Sequence, residues 1–176
     1  MTNQTHQTDQ KKHGGYRNLH SYQTTTLIYD LSVEFVRLYI DRFSRTKDQM
    51  VQAARSGRQN IAEGSQASGT SKKTEIKLVG VARASLEELL IDYEDFLRQR
   101  SLPVWAKNSP QALAIRNKTY LDNPETAANC LICLIHQANY LLDRQLQALE
   151  KAFIEKGGYS EKLFKKRLAN LTKKTY

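Results

Sequence analysis

Met50–Gly64 reads MVQAARSGRQNIAEG, and the size of its side chains decides the fold. Ala53, Ala54, Ser56, Gly57, Ala62 and Gly64 give a helix a small-sided inner face, where a core helix ordinarily carries Leu and Ile. Arg55, Asn60 and Glu63 add polar groups, which an interior accepts only when they are paired. Such a helix needs a neighbour that comes close, and the next helix in the chain is the expected neighbour. Thr46-Lys-Asp-Gln49 has the pattern of a capping box and starts the helix, which ends near Ala67. Ser68-Gly69-Thr70 is the turn, with Gly69 free to take a positive φ.

A second helix is expected over Ser71 to Gln99. Ile76, Val79, Leu86, Leu90, Tyr93 and Leu97 follow three-four spacing, and Ala82, Leu89 and Phe96 thicken the stripe. An antiparallel hairpin folded about residue 68 or 69 sets Gly57 opposite Gly80 and brings Arg55 near Arg83 and Glu87. Facing glycines let two helices approach below the usual separation of about 8–10 Å. Two neighbouring arginines call for a carboxylate, which Glu87 supplies one turn beyond Arg83.

Working outward, Ile28, Leu31, Phe35, Leu38 and Tyr39 mark a helix over about Thr24 to Phe43. Val36 and Ile40 widen its apolar face enough for a second contact, between subunits. Residues 100–123 form a long irregular connection punctuated by Pro103, Trp105 and Pro110, with room for a short helix over Gln111–Arg116. Trp105 is expected to cover one end of the core. Asn123 as N-cap, Pro124 at the first position and Glu125 in the first turn start the next long helix. Its inner face is Leu131, Ile135, Ala138, Leu142, Leu146, Leu149 and Phe153, and Gly157-Gly158 end it. From Ser160 to Leu171, Phe164, Leu168 and Leu171 share a face, with Lys162, Lys165, Lys166 and Arg167 around them. The expected fold is all-α: a disordered polar N-terminus over 1–22, an up-and-down four-helix bundle over 23–156, and a basic suffix over 157–176 holding a short amphipathic helix. That helix can dock on the bundle, on a partner subunit or on nucleic acid.

The chain has 176 residues and a formal charge of +9. Residues 151–176 hold eight Lys/Arg against two Glu, residues 1–23 three against one, and residues 24–150 sixteen against fifteen. The positive excess therefore sits on the ends, which points to a polyanion such as RNA or DNA. No apolar run approaches the ~20 residues that span a bilayer, and no apolar stretch of a secretory signal opens the chain. No membrane role and a cytoplasmic location are expected. Cys130 and Cys133 lie three apart in a helical pattern and fit a reducing compartment.

The classes of chemistry narrow quickly. Cys130, Cys133 and His136 do not complete a metal site, since position 136 falls about 120° around the helix from 130. His6, His13 and His20 lack a fixed scaffold. Glu88, Asp92 and Asp95 share a helical face flanked by Glu87 and Glu94, but no Glu-x-x-His pattern of a di-iron bundle accompanies them. They read as a solvated face, or as one that meets a basic surface of another subunit. No nucleophile–base pairing and no phosphate-cradling loop is present, so no enzyme, no cofactor and no metal is expected. The candidate nucleic-acid contacts are Lys72 and Lys73, at a helix start where the macrodipole favours phosphate, and Lys162, Lys165, Lys166 and Arg167 in the suffix. Arg45, Lys47, Arg55, Arg58 and Lys77 extend the first group. Few aromatics accompany them, so binding to backbone or shape is expected rather than base stacking.

Ala54–Gly64 (ARSGRQNIAEG) followed by Ala82–Leu89 (ARASLEEL) resembles the signature of the bacterial four-helix bundle proteins. These are similar to the proteins encoded in intervening sequences of large-subunit rRNA genes and to the accessory variability protein of diversity-generating retroelements. The resemblance covers about residues 24–156, and Asp92–Arg100 (DYEDFLRQR) with the extension past Gly157 resembles a subgroup carrying a C-terminal suffix. It implies an up-and-down bundle assembled as a ring, typically a pentamer. For the retroelement relatives it implies a basic nucleic-acid surface and a reverse-transcriptase partner. Here the body is nearly neutral and the charge lies in the suffix. Arg55, Gly57, Asn60, Glu63, Gly64, Gly80, Arg83 and Glu87 carry over as structural positions. The alternative reading is a protein-interaction scaffold that does not touch nucleic acid.

Overall fold

The computed structural model describes residues 15–115 and 121–173. The expected disorder of 1–14, the His6 and His13 spacing, the Arg116 end of the short helix and the last three residues lie outside them. The described residues are all helical in their regular structure. A 3-10 helix, Gly15–Asn18, leads into α1 (His20–Tyr39); α2 (Arg45–Ala67), α3 (Lys72–Gln99), the short α4 (Pro110–Ala114), α5 (Pro124–Lys156) and α6 (Tyr159–Lys173) follow. α2 packs along α3, α3 along α5, and α1 against both α2 and α5.

Local chemistry sets the boundaries. The Asn123 side chain accepts from the Thr126 N–H, and Pro124 fills the first turn of α5. Ser71 does the same for α3 through the Thr74 N–H. The cap of α2 is Ser44, whose hydroxyl oxygen accepts from the Thr46 N–H, so the expected start at Thr46 moves back. α1 also starts early. Residues 15–22, expected in a disordered segment, carry the 3-10 helix and the first turn of α1, with Ser21 buried. The Ser21 hydroxyl donates to Gln145 Oε1 across to α5, a tie that polar composition alone does not reveal.

The core follows the expected stripes except on α1 and at Ile76 and Phe153, which are only half-buried and lie outside the core cluster. Val79, Leu86, Leu90, Tyr93 and Leu97 of α3 are buried with Ala82, Leu89 and Phe96. Leu131, Ile135, Ala138 and Leu142 of α5 are fully buried. Phe35 stands edge-on to both Tyr93 and Phe96, at 4.9 and 4.8 Å between ring centroids. On α1, however, Leu38 is exposed, and Thr25 and Ser32 hold inner positions instead. Ser32 is needed there: its oxygen accepts the Tyr93 hydroxyl at 2.8 Å. Trp105 packs at the edge of the core as expected, its Nε1 donating to Glu125 Oε1 and its backbone N–H to Asn129 Oδ1.

The α2–α3 contact departs from the expected crossing. A Cβ on Gly57 would lie 2.8 Å from Leu86 Cδ2 and 3.6 Å from the Ala82 carbonyl. A Cβ on Gly64 would lie 3.3 Å from the Glu75 carbonyl oxygen. A Cβ on Gly80 would meet nothing within 4 Å. Gly57 and Gly80 therefore do not face each other. The tight backbone approach is at Gly64, near the turn, and Ser56 and Ser85 join their hydroxyls across the seam at 2.9 Å. The hairpin pivots slightly later than residue 69, because the turn runs through Ser68–Thr70 and α3 begins only at Lys72.

Candidate nucleic-acid interface

Arg83, expected beside Arg55 and answered by Glu87, reaches across to α5. Its Nε donates to Asp143 Oδ1 at 2.5 Å, with Glu87 at 4.0 Å. The Asp143 bond raises the Arg83 pKa above its ordinary value, and the charges of Asp143 and Glu87 add to this against the cost of burial. Glu87 accepts from the Asn139 amide at 3.2 Å. Arg55 and Glu63 are exposed rather than paired in the interior. Asn60 turns back on its own helix, donating to the Ser56 carbonyl and hydroxyl oxygens. These residues are helix-packing and surface positions.

Arg83–Asp143 and Glu87–Asn139 fix the antiparallel register of α3 and α5. Carried along both helices, that register brings Lys156 to the level of Thr70. The α2–α3 turn, the C-terminal end of α5 and the root of α6 therefore share one end of the molecule. Lys73 and Lys77 are exposed there on α3, and Lys156 on the last turn of α5. Lys72 is less available. Its ammonium lies 2.6 Å from Glu75 Oε2, and Glu75 is buried against Gly64. The wider group around α2 does not converge: Arg45 opens α2, about 33 Å along the helix from Ala67 at 1.5 Å per residue. Arg58 lies over the Tyr29 ring, 4.3 Å from its centroid.

α6 carries the remaining candidates. Gly157 ends α5 with φ of 65°, a left-handed conformation that suits glycine. Glu161 reaches back to accept from the Gly158 N–H, which is half of a capping box. Every residue from Tyr159 to Thr172 is exposed, so α6 does not dock on its own body. Phe164 (66% exposed), Leu168 (53%) and Leu171 (57%) line one side. At about 100° per residue, Lys162 and Lys166 fall on the opposite side. Lys162, Lys165, Lys166 and Arg167 are thus presented to solvent without an ion pair among the described residues. Sequence reasoning misses Lys156 as part of this end. Its signal is present in the charge of residues 151–176, but its position becomes readable only with the α3–α5 register.

The acidic residues of α3 divide. Asp95 pairs with Arg98 at 2.8 Å. Glu88 and Asp92, with Asp48 of α2, line a groove of about 700 Å³ whose floor includes Ala53, Ser56 and Ser85. Burial first, then the charges of Asp95 and Glu88, push the Asp92 carboxyl above its ordinary range. Cys130 is buried, Cys133 is half-buried with its thiol pushed up by burial, and His136 is exposed. Among the described residues no group of three or more His, Cys, Asp or Glu is placed to hold a metal ion, and no helix is long and apolar enough to cross a membrane. Comparison of the sequence with protein-family models, curated proteins and solved structures returns no match.

Proposed function

We propose that this chain is a non-enzymatic four-helix bundle protein that assembles as a homo-oligomeric ring and binds RNA or DNA through phosphate contacts. α1, α2, α3 and α5 are the four members of the bundle, each packed on two of the others. The observation that carries the binding reading is the exposed α6, with Lys162, Lys165, Lys166 and Arg167 clear of the body and rooted beside Lys73, Lys77 and Lys156. Cations gathered at one end neutralise a phosphate backbone without reading bases. Lys72 contributes less, being held by Glu75.

The test is a binding titration against salt, with full-length protein and with a chain ending at Gly157. Affinity that falls steeply with salt and drops on removal of α6 supports the reading. No binding, or binding indifferent to both, overturns it. The second reading, a protein-interaction scaffold, rests on the apolar residues that α1 leaves in solvent, Leu27, Val33 and Leu38, each about two-fifths exposed. Recovery of one protein partner after nuclease treatment, with no direct nucleic-acid binding, favours that reading.

A further inference from the structure

The α2–α3 groove and α6 are each incomplete alone. The groove is lined by Asp48, Gln49, Gln52, Ala53, Ser56, Ser85, Glu88 and Asp92, with three carboxylates and no cation. Between the carboxylates lie the small side chains of Ala53, Ser56 and Ser85. Glu88 and Asp92 stand four residues apart on α3, one above the other. α6 has the opposite character. Lys162 and Lys166 stand four residues apart on one side of it, and its own body covers none of its sides. A helix of 15 residues is marginal in water without a partner.

We propose that α6 of a second copy of this chain occupies the groove, its Lys162 and Lys166 set against Asp48, Glu88 and Asp92. The same copy's α6 is not in the groove, since every residue from Tyr159 to Thr172 is exposed, and folding back would leave its Lys162 and Lys166 short of Asp92. α6 is rooted at the level of Thr70, 22 residues of α3 and about 33 Å below Asp92. Folded straight back from its root, Lys166 rises only about 12 Å within α6 and about 7 Å through the two glycines. α6 would also have to pass α3, since it leaves from α5, which packs on α3 and α1 and not on the α2 wall of the groove. A second copy has neither restriction. Donor and acceptor surfaces are different patches of one chain, so the contact is head-to-tail and repeats from copy to copy. The proposal rests on the homo-oligomeric part of the reading above and not on phosphate binding.

The experiment uses two full-length variants and light scattering in nucleic-acid-free buffer. Variant one carries D48K and E88K, both exposed carboxylates; variant two carries K162E and K166E. The unaltered chain is expected at twice 20.2 kDa or more. Each variant alone is expected to fall to the monomer mass. Their mixture is expected to recover the larger mass, because each groove then meets an α6 of opposite charge. Circular dichroism confirms that both variants keep their helices. Either variant assembling alone as the unaltered chain does, or a mixture that stays monomeric, overturns the proposal while leaving an oligomer built by other surfaces standing. A monomeric unaltered chain overturns both. Phosphate binding is read separately, by salt titration of a Lys165→Gln, Arg167→Gln chain, since these two cations of α6 take no part in the groove contact.

Discussion

Leu86 of α3 occupies the space that a side chain at position 57 of α2 would need, its Cδ2 lying 2.8 Å from where a Cβ on Gly57 would stand. Leu86 is fully buried and has little room to yield. Gly57→Leu is therefore expected to cost about 1–3 kcal/mol or more. Gly64→Ala should also destabilise, because the atom in its way is the Glu75 carbonyl at 3.3 Å, which a rotamer change cannot move. Gly80→Ala should act in the other direction. Nothing lies within 4 Å of the added methyl, and removing a mid-helix glycine stabilises by about 0.5–1 kcal/mol. Thermal melts of the three variants check the order; a Gly80→Ala chain that melts early would restore the glycine-to-glycine crossing.

Tyr93 and Ser32 form a buried polar pair between α3 and α1, 2.8 Å apart. Burial pushes the Tyr93 hydroxyl well above its ordinary range, opposed by the Ser32 bond. Ser32→Ala leaves that hydroxyl stranded and should cost about 1–3 kcal/mol. Tyr93→Phe should cost less than the serine change when made on top of it. A double-mutant cycle from denaturant melts reads the coupling; additivity of the two changes would show that the bond contributes nothing.

Asp92 gives a pH signature. Its carboxyl is raised in the folded chain, so the folded state holds its proton at pH values where the unfolded chain has lost it. Stability on this account falls as pH rises from the usual carboxylate value through the raised one, and stays lower above it. Asp92→Asn should raise the melting temperature at neutral pH, in salt that screens α6, and the gain should vanish as pH falls below the ordinary carboxylate range. A gain that persists at low pH would assign the effect to something other than charge.

For the suffix, changing Lys162, Lys165, Lys166 and Arg167 together to Gln should leave the helical content unchanged, since all four are exposed. It should lower the slope of log affinity against log salt by about 0.7–0.9 for each phosphate that the protein no longer neutralises. Lys73→Gln with Lys77→Gln should lower it further, and Lys72→Gln should lower it least. An unchanged slope for the quadruple variant would remove α6 from the binding surface.

Faces are legible in the sequence, and heights are not. Three-four spacing places Val79, Leu86, Leu131 and Leu142 inside because the helical period fixes which side of a rod a residue occupies. Asn123-Pro124 and Gly157-Gly158 mark boundaries because their backbone preferences act locally. Register is different: sliding one helix past another by a turn keeps every apolar residue on its face, so the sequence sets Gly57 against Gly80 when Leu86 is its neighbour. Arg83 shows the same limit. A carboxylate one turn away is visible in the sequence, whereas Asp143, sixty residues on, becomes its partner only through packing. Thr46 matches a capping box, yet Ser44, which has no Glu or Gln three residues on, takes the cap, because a serine hydroxyl caps as well as a threonine one and the backbone turns extended at Ser44. The exposure of α6 cannot be read at all, because an amphipathic stripe records that a face is apolar and not what covers it.

Gly157, with its left-handed backbone, sits between a helix that belongs to the core and one whose side chains are in water. Among the described residues, a protease offered the isolated chain should therefore cut first beside this one. The larger fragment would keep the interior whole and melt as before, while the short fragment, cut loose, would unravel into peptide.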